Sequence, residues 1–74
     1  MSTAIEPFSR EALNRMRVND ALPVEVQVLQ LVSIIQTLDT WLATNLKADD
    51  LNLVRQANLD AHRRLARLET ANGL

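Results

Sequence analysis

The chain has a single histidine, His62, and this side chain is the one best suited to proton transfer near neutral pH. A general base works with a nucleophile or with groups that position a substrate, and no such set lies near His62 in the sequence. The neighbouring carboxylates Asp49 and Asp50 do not form an acid–base pair, because adjacent helical side chains point about 100° apart. A partly exposed helix-surface histidine and helix-capping aspartates are the favoured interpretations.

The motifs that carry catalysis or hold metals are missing from the sequence. There is no cysteine, no glycine-rich phosphate loop and no histidine spacing typical of a metal site. A chain of this size also rarely encloses a substrate pocket. We therefore expect no catalytic residue, no metal and no cofactor, and we expect that the protein is not an enzyme.

Four arginines could bind phosphates or an acidic partner, since guanidinium groups bind phosphate oxygens well. They are Arg55, Arg63, Arg64 and Arg67. Asp60 and Glu69 dilute this positive charge, and the chain has a net charge of −1, whereas nucleic-acid-binding domains are usually basic. A solvated helix surface is therefore favoured, and a nucleic-acid-binding regulator that uses these arginines is the alternative hypothesis.

Composition and length favour a small helical domain that needs a partner. The 74 residues allow one domain, and a chain this short buries only about 60% of its unfolded surface. With no disulfide or zinc site to add stability, a second protein chain is the remaining source. The apolar-rich stretch 21–46 is too polar for a bilayer span, and the N-terminus lacks a signal-peptide pattern. We expect a cytoplasmic protein that does not enter a membrane.

The stretch after Pro23 fits two periods. Val24, Val26 and Val28 alternate with polar residues as in a half-buried strand, but this alternation ends at Leu29. The helical spacing of four and three residues persists much further, through Val24, Val28, Leu31, Ile35, Leu38 and Leu42. The sequence therefore predicts a helix over about 23–45, with a heptad seam packed against another helix.

Two further helices complete the predicted fold. Ser9 is a good N-cap for a short amphipathic helix over about 9–18, whose apolar side carries Phe8, Ala12, Leu13 and Met16. A third helix over about 49–72 begins at Asp49 as the N-cap, ends at Gly73, and has the apolar stripe Leu51, Val54, Ala57, Ala61, Leu65 and Leu68. The short link between the long helices forces an antiparallel hairpin. We expect an all-α, three-helix arrangement over residues 1–74 that dimerises into a helical bundle.

The second helix lacks the charges of an ordinary solvated helix. Between residues 21 and 46 only Glu25 and Asp39 are charged. Protein interfaces are depleted in charge and enriched in aromatic residues. We therefore predict a partner-binding surface made of Val26, Leu29, Val32, Ser33, Ile34, Gln36 and Trp41. The alternative is that the first helix folds back over Ile34 and Trp41.

These features favour a small helical protein–protein interaction module. It would act as an adaptor, a chaperone or an inhibitor by docking a protein partner on the second helix. A homodimer through this helix is the simplest arrangement, because it pairs two uncharged surfaces by symmetry.

Overall fold

The computed structural model describes residues 6–73 of the chain. Three helices follow one another, α1 (Arg10–Arg15), α2 (Val24–Leu42) and α3 (Ala48–Asn72), and residues 6–73 contain no strand. The two long helices pack against each other as a hairpin. The prediction of an all-helical fold with a long hairpin and a short N-terminal helix is confirmed, and the strand interpretation of the stretch after Pro23 is excluded.

The short helix α1 begins where the sequence predicts and ends earlier. Ser9 has an extended backbone, and its Oγ accepts a hydrogen bond from the backbone N–H of Ala12 at 3.0 Å. The helix stops at Arg15 because Met16 is already extended, with ψ of 112°. A helix of six residues is far too short to be stable in isolation. Its position therefore depends on packing against the hairpin.

Hydrogen bonds with side chains hold the turn before α2, although none of these side chains caps the helix. Asn19 Oδ1 accepts from the backbone N–H of Ala21 at 3.0 Å, so Asn19 stabilises the turn itself. Pro23 is the N-cap residue of α2 and makes no side-chain capping bond. From within the helix, Gln30 Oε1 accepts from the backbone N–H of Asn19 at 3.1 Å. These bonds fix the direction in which the chain enters α2.

The predicted N-cap of α3 is wrong by two residues. Lys47 is the N-cap, and its carbonyl oxygen accepts from the backbone N–H of Leu51 at 2.8 Å. Asp49 and Asp50 therefore lie in the first helical turn, where carboxylates favour the helix dipole without capping. At the other end, Gly73 adopts a left-handed conformation with φ of 67° and ends α3 as predicted.

The core lies between the two long helices and under the first one. Leu31, Leu38, Trp41 and Val54 are fully buried, and Ala12, Ile35 and Ala61 complete the buried cluster. The predicted heptad seam supplies its central members, whereas Val24 and Val28 are only half-buried. On α3, Val54 and Ala61 are the buried members of this cluster.

Residues 6–18, here called the N-terminal arm, cover one side of the hairpin. Phe8, Leu13, Met16 and Val18 pack against the buried cluster from this side. Two exposed ion pairs join the arm and the following turn to α3: Arg10 Nε to Asp50 at 3.2 Å, and Arg64 Nη2 to Asp20 at 3.0 Å. Exposed pairs add little stability, so the apolar contacts hold the arm in place.

Candidate functional site

Trp41 belongs to the core and does not form part of a docking surface. Its side chain is 2% exposed, and its indole Nε1–H donates to the backbone oxygen of Glu6 at 2.7 Å. The ring of Phe8 meets it edge-on, with centroids 5.2 Å apart. The arm also leaves Ile34 only half-exposed. The structure therefore removes Trp41 from the predicted surface. The alternative had the first helix fold back over Ile34 and Trp41. In the structure, Glu6 and Phe8, which precede α1, contact Trp41, whereas Leu13 of α1 lines a cleft with Ile34.

The remaining predicted residues lie together on the side of α2 that faces away from α3 and the arm. This outer face of α2 comprises Glu25, Val26, Leu29, Val32, Ser33 and Gln36, and all six are exposed. Leu29 is 68% exposed, and Val26 and Val32, one helical turn to either side, are each 37% exposed. Steps of three residues rotate by about 60° on a helix, so these three apolar side chains form one continuous patch.

The polar groups around this patch carry little charge. Glu25 is the single ionisable residue of the outer face, and the other charged residue of α2, Asp39, accepts from the Asn58 side chain at 2.9 Å. Further along, the hydroxyls of Thr37 and Thr40 donate to carbonyl oxygens of their own helix, at 3.1 and 2.9 Å. The outer face therefore has one carboxylate at the start of α2, an apolar patch after it and neutral polar groups beyond the patch.

Exposed leucines on α3 do not make a comparable patch. Leu53 is 38% exposed and Leu59 is 50% exposed. Six residues separate them, which turns their side chains about 120° apart on the helix. Single exposed leucines are ordinary on protein surfaces and need no partner. Among the residues that the structure describes, the outer face of α2 is the site where exposed large apolar side chains adjoin one another.

The four arginines of α3 do not converge on one surface. Arg64 pairs with Asp20, and Arg55, nine residues earlier, points to about the opposite side of the helix. Arg63 and Arg67 are one turn apart and border the same shallow surface beside Ala66 and Thr70. A recognition surface for a nucleic-acid backbone needs several cations aligned along one side. Of the four arginines, the structure places Arg63 and Arg67 on a common surface.

A cleft of about 240 Å³ lies between the N-terminal arm and the hairpin. Its walls are mainly apolar, with Leu13 and Met16 on one side and Leu38 and Ala57 on the other. Arg17, Asp60 and Arg64 lie at its edge. The cleft is smaller than the roughly 300–1,000 Å³ of typical ligand pockets, and it contains no pair of groups poised for acid–base chemistry.

Within residues 6–73, His62 and possible metal-binding groups are the remaining candidates for chemistry. His62 is exposed on α3. This part of the chain holds no group of three or more histidine, aspartate or glutamate side chains placed to bind a metal ion. None of the three helices is both long enough and apolar enough to cross a bilayer.

One structurally important residue escaped the sequence analysis. Gln27 is only 9% exposed, and its Nε2 donates to the backbone oxygens of Leu22 at 2.8 Å and Asp20 at 3.3 Å. Gln27 is polar, yet it lies four residues before Leu31, on the buried side of α2. The helical period alone could have located it.

No protein-family model matches this sequence, and no match was found among the curated proteins or the solved structures. The functional argument therefore depends on the residues of this chain, above all on the outer face of α2.

Proposed function

We propose that this protein is a helical protein-binding module whose docking site is the outer face of α2. The observation that supports the proposal is the exposure of Leu29, at 68%, between Val26 and Val32, which are each 37% exposed. A helix face that meets only water usually carries lysine, glutamate and arginine. This one carries a single carboxylate, as expected for the core of an interface.

Binding through such a surface suits an adaptor, a chaperone or an inhibitor, each of which acts by occupying a partner. Packing against α3 holds the backbone of α2 in a helix, so a partner that binds the exposed side chains does not have to order this segment. Catalysis forms no part of the proposal. Nucleic-acid binding is not proposed either, because Arg55 and Arg64 point to different sides of α3.

Site-specific photo-crosslinking in the native host tests this proposal. A photoreactive amino acid replaces Leu29 in one variant and Leu59, the exposed leucine of α3, in a matched control. We expect a discrete cross-linked product from position 29 and little from position 59. Equal labelling at both positions, or no product from position 29, would contradict the proposal.

A second variant shows whether the apolar patch drives the binding. With the photoreactive group at Val32, adding Leu29→Glu places a charge at the centre of the patch and should abolish the product. Because Leu29 is largely exposed, the substitution should leave the helical circular dichroism spectrum unchanged. Persistence of the product would show that the patch does not drive binding.

A further inference from the structure

Four exposed residues on the outer face of α2 are spaced in an order that reads the same from either end of the helix. Glu25, Leu29, Val32 and Gln36 are separated by four, three and four residues, and all four are exposed. Such spacing puts them in one row along the helix, as in a coiled-coil seam. The centre of the row falls between Gln30 and Leu31. A two-fold axis through this centre, perpendicular to the helix, relates two antiparallel copies of α2. Position 29 of one copy then faces position 32 of the other, and position 25 faces position 36.

We propose that the partner docked on this face is a second copy of the chain, with its α2 antiparallel to the first. This inference rests on the proposed function and names the occupant of that site. Across the two-fold axis, Leu29 of each copy packs on Val32 of the other, which buries the most exposed apolar side chain of α2 twice. An isologous contact of this kind closes at two chains.

Electrostatics select the antiparallel direction. In the antiparallel pair, each Glu25 lies opposite Gln36 of the other copy, whose side-chain amide can donate to the carboxylate. A parallel pair would place the two Glu25 carboxylates beside each other and align the two helix dipoles. The row also carries no basic residue and one acidic residue, so it offers a highly charged partner little complementarity.

The area that two copies of α2 can bury between them determines how tightly the dimer is expected to bind. The 19 residues of α2 span about 28 Å. One face of a single helix buries less than the roughly 800 Å² per partner that is usual for stable complexes. The dimer is therefore reversible and depends on protein concentration.

The absence of cysteine from the chain allows a direct test by disulfide trapping. Disulfides form only between residues whose Cα atoms approach within about 7 Å. Glu25→Cys and Gln36→Cys variants are mixed in equal amounts under a glutathione redox buffer, and the homodisulfides and heterodisulfide are separated by mass. Leu29→Cys with Val32→Cys is the second pair. Leu59→Cys is the control for random collision. Each variant is first checked for an unchanged helical spectrum.

We expect the heterodisulfide to dominate in both mixtures and to exceed the Leu59→Cys homodisulfide severalfold. A dominant Glu25→Cys homodisulfide would overturn the antiparallel arrangement. Trapping no better than that of Leu59→Cys would overturn the second copy as the occupant. In that case, the photoreactive group at position 29 could still cross-link a protein whose mass differs from that of this chain. Such a product would support the proposed docking site with a different partner. Failure of both experiments would reject both proposals.

Discussion

Two buried side chains attach residues 6–22 to the hairpin by donating hydrogen bonds to backbone oxygens. Trp41 donates to the backbone oxygen of Glu6, 35 positions away, and Gln27 donates to the backbone oxygens of Leu22 and Asp20. Each side chain fills space in the core and satisfies carbonyl groups of a segment that has no regular structure. Buried polar groups are tolerated when they are bonded in this way.

Replacing Gln27 tests the importance of this bonding. Gln27→Ala should lower the free energy of unfolding by about 1–3 kcal/mol, because the carbonyl of Leu22 loses its donor and the side chain leaves a gap. Urea unfolding followed by the fluorescence of Trp41 measures the change. The matched control is Gln56→Ala on the exposed side of α3, for which we expect a change within about 0.5 kcal/mol. Equal effects of the two substitutions would contradict the structural role of Gln27.

The three helices differ in how they are stabilised. α2 and α3 bury continuous apolar stripes against each other, whereas α1 has six residues and one buried side chain, Ala12. Its start depends on the hydroxyl of Ser9, and its attachment depends on Phe8 and the partly buried residues that follow. Elements with few buried contacts open more readily than the rest of a fold. We therefore expect the N-terminal arm to open locally while the hairpin stays closed.

Native-state hydrogen exchange measures this difference. The backbone amides of α1 should exchange at least tenfold faster than those of Leu31–Leu38 in α2, after correction for intrinsic rates. Ser9→Ala should destabilise α1 by about 1 kcal/mol and accelerate its amides further while leaving the central amides of α3 unchanged. Thr70→Ala, an exposed hydroxyl removal far from α1, is the control. Uniform acceleration along the whole chain would show that α1 and the hairpin open as one unit.

At the scale of the molecule, the described residues 6–73 form a flat body with extents of 38 × 30 × 18 Å. α3 and the N-terminal arm pack against α2 from two sides. The remaining side of α2 meets solvent, where Leu29 is 68% exposed. The proposed docking and the proposed dimer both use this exposed side, whose single charged residue is Glu25.

Self-association predicts a thermal stability that depends on concentration. The unfolding midpoint of the unaltered chain should rise by roughly 5 °C over about a hundredfold increase in concentration, since dimerisation stabilises the folded state. Leu29→Glu should remove this dependence, and Leu59→Glu should retain it. Scanning calorimetry at several concentrations provides the measurement. An unaltered midpoint across this range would contradict a dimer of the folded chain.

Local pattern was sufficient for the helices, the hairpin and several of their ends. The spacing of four and three residues distinguishes helix from strand after Pro23, and Ser9 and Gly73 mark two helix ends through bonding that involves near neighbours only. The start of α3 was misplaced because Asp49 is a preferred N-cap residue, whereas Lys47 occupies the N-cap without a side-chain capping bond.

The tertiary structure alone decided which sides of α2 are covered. The sequence by itself showed that this helix has more apolar surface than one neighbour can bury, and it named both Leu29 and Trp41 as candidates for exposure. Only the packed fold separates them, leaving Leu29 in solvent and burying Trp41 beneath Phe8. The physical reason is that the helical period shows which residues lie on the same side of α2, but not which side is buried. The buried side is set by the distant residues 6–18, which pack on the core and accept the hydrogen bond of Trp41.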